Sequence, residues 1–381
     1  MSLKKILILL LVVLMGGMIF TGITAAQKPI TVGIYQPLSG PSAYYGQTAV
    51  NGARMAVREI NEAEGVLGRR VILIEEDDAG DVTVTISAVK KLILRDKVCA
   101  VIGDYYSSCT SAGMEVCEKY KVLDITGIST APDITKRGNK WIFRTVATDA
   151  MNAVSYAKYM IEELGNETFV FMANNVEFGR DAVKAYKPIV EELGGKILEI
   201  IYYSEHDTDF RTQITKIKGL NTDVIMLVSE GAAGALFCKQ ARELGEDATI
   251  MGVGTQAEDE FIRTAGSGAE GVYCATSYVA AIDTPENKVF VKKYRELFRE
   301  DPTEYSLAGH RNVYVLKQAI ERAGTDDPVA IRDALTKTDY MDISGPIRFD
   351  ENNQAYPWVF ITKIVNGKLT IAKKAEAAKV D

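Results

Sequence analysis

Three short segments gather hydroxyl and aromatic side chains where predicted strands end: SGPSAYYG at 39–46, DYYSSCT at 104–110 and GISTAP at 127–132. Ligands of open α/β sheets lie beyond the carboxyl ends of the strands, where helix N-termini also present unpartnered N–H groups. Such an edge suits an anion. Ser107 and Thr130, with backbone amides, are the hydroxyls expected to take a carboxylate through charge-assisted bonds, and Tyr106, Ser108, Ile128 and Ser129 flank them. The same Ser and Thr residues could equally cap the helices that follow. Tyr44, Tyr45, Tyr105, Tyr106 and Phe178 could stack on an aromatic ligand or fill a core.

Signatures of catalysis are missing from the sequence. It has no G-x-S-x-G elbow, no H-E-x-x-H and no P-loop, and its two histidines, His206 and His310, stand far apart. The reading is a binder with no catalytic residues, no cofactor and no metal centre. The glycines at 266, 268 and 271 match G-x-G-x-x-G, but a helix precedes them and a strand follows, the reverse of a dinucleotide site, so they read as a turn. Five cysteines, Cys99, Cys109, Cys117, Cys238 and Cys274, lack the paired spacing of a zinc site. Cys99 at a strand start and Cys117 at the end of the following antiparallel helix could form a disulfide, with free buried thiols as the alternative.

What must position these groups is a parallel sheet. From residue 29, β-branched runs alternate with amphipathic stretches, first ITVGIYQ, VILIEEDD, VCAVIGD and VLDITG, then TFVFMAN, ILEIIYY, DVIMLVS, ATIMGVG and GVYCATSY. Two βα series of this size predict an α/β chain with two doubly wound parallel-sheet lobes. After Tyr278 three helices and then two strands follow, near 346–349 and 358–365, so the chain is expected to return to its first lobe. The N-terminal 26 residues read as a signal peptide, with Lys4 and Lys5 before an apolar run and small residues at 24–26; an uncleaved anchor is the alternative. The chain of 381 residues carries a formal charge of −7, and loss of those two lysines makes it −9. No basic block follows, which argues against nucleic acid or anionic lipid as partner.

At these segments the chain resembles the branched-chain amino-acid binding proteins, the type I periplasmic solute-binding proteins of ABC importers. The resemblance is carried by GIYQPLSGPSAYYGQTAVNGARMAVREIN from Gly33, IGDYYSSCTSAG from Ile102, ITGISTAPDIT from Ile125 and GPIRFDENNQA from Gly345. It implies an exported protein, periplasmic or cell-surface, that hands a small ligand to a membrane permease. It also implies lobes of 27–146 with 278–357 and of 147–277 with 358–381, joined by a three-segment hinge. Ser107 and Ile128 to Thr130 would hold the ligand carboxylate, Tyr45 would line the pocket, and Phe178 stands where the family usually has a tyrosine. The family's ammonium-binding acid falls on Gly254, so Glu230 or Glu258 would have to substitute, or the ligand would be an aromatic acid or an amide such as urea. A ligand-binding sensor subunit is the related alternative. His310-Arg311-Asn312 also departs from the family's Tyr-Asp-Ala and receives no role.

Overall fold

The computed structural model describes residues 28–204 and 206–379, so the signal-peptide reading lies outside the described residues. The first βα series forms β1 (Ile30–Gln36), α1 (Ala43–Glu62), β2 (Val71–Asp77), α2 (Val82–Leu94), β3 (Ala100–Gly103), α3 (Ser107–Tyr120), β4 (Leu123–Thr126), α4 (Asp133–Lys136) and β5 (Ile142–Arg144). The strands make one parallel sheet in the order β2-β1-β3-β4-β5. The short runs AVIG and LDIT are buried throughout because helices cover both faces, as the uninterrupted apolar pattern requires. Alternate side chains feed two cores. Ile30, Val32, Ala100 and Ile102 join one, and Tyr35 and Val101 join the other with Val89 and Cys117.

The second series forms α5 (Asp149–Lys158), β6 (Thr168–Asn174), α6 (Glu177–Glu192), β7 (Lys196–Tyr203), α7 (Arg211–Leu220), β8 (Val224–Val228), α8 (Gly231–Glu243), β9 (Thr249–Gly252), α9 (Asp259–Ala265) and β10 (Tyr273–Thr276). The return comprises α10 (Pro285–Phe298), α11 (Glu304–Ala323), α12 (Pro328–Leu335), β11 (Tyr340–Asp342), β12 (Gly345–Ile347), β13 (Trp358–Val365) and β14 (Lys368–Glu376). The second sheet runs β14-β13-β10-β9-β8-β6-β7, parallel except where β13 pairs antiparallel with β10 and β14.

Helix α11 does come back against α1. A Cβ on Gly52 would sit 1.8 Å from the Ser306 carbonyl oxygen and one on Gly309 2.0 Å from that of Ala49, so glycine on each helix permits backbone contact. The strand expected at 346–349 is shorter and pairs with β11 as a separate ribbon, outside both sheets. Residues 266–269 form a short turn of helix between α9 and β10, as the reversed order of elements predicts. The disulfide suggestion is corrected: Cys99 and Cys117 are free and buried, and they belong to the two different cores of the first sheet, so the sheet separates them.

Candidate functional site

The carboxyl ends of both sheets face one cleft. Ser107 enters it after β3, Ile128 and Thr130 after β4, Phe178 after β6, Glu230 after β8 and Gly254 after β9. The four other expected residues stand behind this layer. Tyr45 stacks on Tyr105 with ring centroids 4.9 Å apart and planes at 9°, and its hydroxyl lies where a Cβ on Gly231 would fall, at 1.6 Å. Tyr106 pairs its hydroxyl with Ser42 Oγ at 2.6 Å. Ser129 turns inward, donating to the Asp104 carbonyl at 2.9 Å and sharing a 2.7 Å bond with Thr110, while Ser108 follows Ser107 on α3 and does not line the cleft.

Ser107 is the first residue of α3, whose N-cap Tyr106 offers no side-chain cap. The first amides of this helix therefore have no capping acceptor from it. Ser107 as a residue is only 4 % exposed, and its hydroxyl, which lines the cleft, takes no hydrogen bond among the described residues. Thr130 is already engaged, donating to Asp149 Oδ2 at 3.0 Å. Burial lifts the Asp149 carboxyl to about 7, against the pull of Thr130 and of Arg144.

Two buried arginines hold the 127–132 segment from below. Arg144 donates to the carbonyls of Ser129 (3.3 Å), Ala131 (2.6 Å) and Pro132 (3.3 Å), to Thr135 Oγ1 (2.7 Å) and to Gln354 Oε1 (2.5 Å). Arg311 donates to the Gly127 carbonyl at 3.3 Å and to Ser344 Oγ at 2.8 Å, and pairs with Asp342 at 3.4 Å. With its carbonyls drawn inward, this segment is fixed before any ligand arrives.

Across the cleft the two halves touch. Tyr105 donates its hydroxyl to Glu230 Oε2 at 2.5 Å, and Glu177 Oε1 accepts from Ser111 at 3.0 Å and Arg137 at 2.7 Å. Tyr105, one of the rings read as able to stack on a ligand, lines the cleft, and so do residues not foreseen, among them Asp149, Thr276, Ser277, Glu304 and Tyr305. Glu304 Oε2 accepts from Thr276 Oγ1 (2.6 Å), Ser277 N (3.0 Å) and Ser277 Oγ (3.2 Å), and burial raises its carboxyl. Glu258 does not reach the cleft. It lies in a neighbouring depression with Asp259, Tyr278 and Arg295, and burial first, then Glu304, holds its carboxyl well above the usual range.

The sequence model of the periplasmic binding protein family matches residues 29–368. The chain belongs to the periplasmic binding protein family. This periplasmic binding protein is 30% identical over 332 residues to the leucine-, isoleucine-, valine-, threonine- and alanine-binding protein of Pseudomonas aeruginosa, covering 87% of this chain and 88% of the relative. It is 32% identical over 314 residues to the Leu/Ile/Val-binding protein BraC3 of Rhizobium johnstonii, with 81% and 84% covered. Its fold matches the substrate-binding protein LivJ of Streptococcus pneumoniae, crystallised with isoleucine, at a TM-score of 0.86 and 25% identity, covering 92% of this chain and all of that one. The two doubly wound lobes read from the alternating runs, and the type I periplasmic binding fold that the resemblance implies, are the fold observed.

Proposed function

We propose that this periplasmic binding protein is the extracytoplasmic solute-capturing subunit of an ABC importer, which takes a small amino acid or related carboxylate into the cleft by hinge closure. Lobes of 27–146 with 278–357 and of 147–277 with 358–381 close over the ligand, shifting a population from open to closed. The closed form then docks on a membrane permease. Residues 1–26 direct export, and the protein has no catalytic step. The observation that carries this reading is Ser107: a hydroxyl with no hydrogen-bond partner among the described residues, on the buried first residue of a helix without a side-chain cap, facing a cleft bordered by both sheets. A ligand carboxylate meets its need for a partner and lies at the positive end of the α3 dipole. The names of the relatives support an amino acid as the solute.

A thermal-shift screen of the chain from residue 27 against L-amino acids tests the reading. A ligand at a hundred times its Kd adds about 2.7 kcal/mol to stability. No stabilisation by any L-amino acid sinks the amino-acid reading; stabilisation by aromatic acids or small amides alone redirects it to those ligands. Ser107→Ala is expected to weaken the bound amino acid by about 1–3 kcal/mol, the scale for depriving a charged acceptor of a hydrogen bond. Thr130→Ala is expected to cost less, because that hydroxyl donates to Asp149. Calorimetric titration of both variants checks the order, and equal affinity of Ser107→Ala and wild type removes Ser107 from the site. Recovery of the bound solute chemically unchanged checks that nothing is turned over.

A further inference from the structure

The charge of the cleft is one-sided. Asp149, Glu230 and Glu304 line it, and no Lys, Arg or His does among the described residues. Ser107, whose hydroxyl has no partner among the described residues, faces the same space, so the cleft combines a site for an anion with an excess of carboxylates. Of the three, Asp149 is bonded to Thr130 and Glu230 to Tyr105. Glu304 differs in how its two oxygens are used. Its three hydrogen bonds to Thr276 and Ser277 all fall on Oε2. Oε1 instead points at Gly254: a Cβ built there would lie 2.3 Å from it. A side chain at 254 and the Glu304 carboxylate therefore compete for one volume. Gly254 follows β9 of the second sheet, whereas Glu304 opens α11, the helix that packs on α1. The carboxylate enters this volume from the opposite side of the cleft.

We propose that Glu304 is the specificity-determining anion of the cleft, standing in the space that a side chain at 254 would fill, so that the site accepts solutes bearing a cationic nitrogen and rejects purely anionic ones. This rests on the capture reading above. Thr276 and Ser277 hold Oε2, which fixes the carboxylate while Oε1 lies against Gly254, a residue of the cleft lining. An anionic ligand without a cationic nitrogen would meet three acidic side chains and no basic one. Desolvating like charges together is unfavourable, so such a ligand binds only after taking up protons. A zwitterion places its carboxylate at Ser107 and its ammonium at Glu304 and avoids that cost.

The test uses the chain from residue 27 and matched probes: L-isoleucine with 3-methylpentanoate, L-alanine with propanoate, and benzoate, titrated calorimetrically. For the wild type, at least one amino acid is expected to bind, and its partner lacking the ammonium at least a hundredfold more weakly. Glu304→Gln keeps the shape and removes the charge; Glu304→Ala empties the space. Each is expected to weaken the bound amino acid about ten- to a hundredfold, the scale of a charge-assisted hydrogen bond, with melting temperature checked on both. The double variant Glu304→Ala with Gly254→Asp supplies a carboxylate to the same volume from the other side and is expected to recover most of the affinity. Gly254→Asp alone is expected to bind poorly, because two carboxylates then meet. Tight binding of 3-methylpentanoate, propanoate or benzoate by the wild type overturns the cation requirement while leaving carboxylate capture standing. Full affinity in Glu304→Gln, or no recovery in the double variant, overturns the assignment of Glu304. Failure of all five probes, together with no stabilisation by any solute of the thermal-shift screen, overturns the capture reading as well.

Discussion

Replacing Arg144 with methionine is expected to destabilise the protein by about 3–5 kcal/mol, a large part of the 5–15 kcal/mol that typically separates folded from unfolded domains. The guanidinium is fully buried, and burial lowers it to about 9, still charged at neutral pH. Its hydrogen-bonding groups are spent on carbonyls and side-chain oxygens rather than on a carboxylate, with Asp149 and Asp350 near enough to favour its charge. Methionine fills much of the volume but leaves Thr135 Oγ1 without a donor, and leaves Gln354 Oε1 and the Ala131 carbonyl with only their longer 3.3 Å bonds from Thr135 Oγ1 and Ile134 N. Each unsatisfied buried acceptor costs about 1–3 kcal/mol, partly recovered by local shifts. The damage falls on the 127–132 segment, so ligand affinity should drop together with stability. Denaturant unfolding of the ligand-free protein measures the first effect. A loss below about 1 kcal/mol, the low end for one unsatisfied acceptor, would mean that the segment holds its shape without Arg144.

This arginine illustrates what the sequence could disclose and what it could not. Runs such as AVIG and LDIT announce strands buried on both faces, and the hydroxyls that follow them were legible as cleft residues because strand ends and helix starts have a strong local signature. Which side chain of a cluster faces the cleft depends on packing. Tyr105 lines it and Tyr45 stacks behind, though both stand in similar aromatic pairs. Ser129 turns into the core while Ile128 and Thr130 face out. Glu304 is separated from the βα series by a full helix, and only the return of α11 against α1 brings it to Gly254; no local pattern encodes that. The unexplained Arg311-Asn312 becomes support once folded, with Arg311 on the Gly127 carbonyl and Asn312 Oδ1 accepting from Thr145 Oγ1 at 2.6 Å. The disulfide suggestion failed for a comparable reason, since sequence distance does not say on which face of a sheet a helix packs.

Asp124→Asn is expected to stabilise the ligand-free protein at pH 8 and to leave it almost unchanged at pH 4. Asp124 lies in β4, fully buried, with Cys117 and Tyr35 nearby. Tyr35 donates to its Oδ2 at 2.7 Å, and the phenol reaches it by passing two glycines, since a Cβ on Gly103 or Gly113 would fall 2.1 or 2.4 Å from the hydroxyl. Oδ1 has no partner. Burial lifts the carboxyl from 3.8 to about 7, even against the bonds from Tyr35 and the backbone. The folded protein thus holds a proton that the unfolded chain releases above pH 4. Stability is therefore highest below the unfolded value, falls as pH rises from about 4, and levels off above about 7. Each tenfold change in proton affinity between the folded and unfolded chain is worth about 1.4 kcal/mol, so the ionised group costs up to about 4 kcal/mol at pH 8. Asparagine keeps the shape and an acceptor for Tyr35 but cannot ionise. Melting curves at pH 4, 6 and 8 should show a wild-type decline that Asp124→Asn flattens. Asp149, raised in the same way, contributes to the same slope, so part of the decline should survive in the variant. A variant equally destabilised at all three pH values would show that the hydrogen-bond geometry around Asp124, rather than its ionisation, governs stability here.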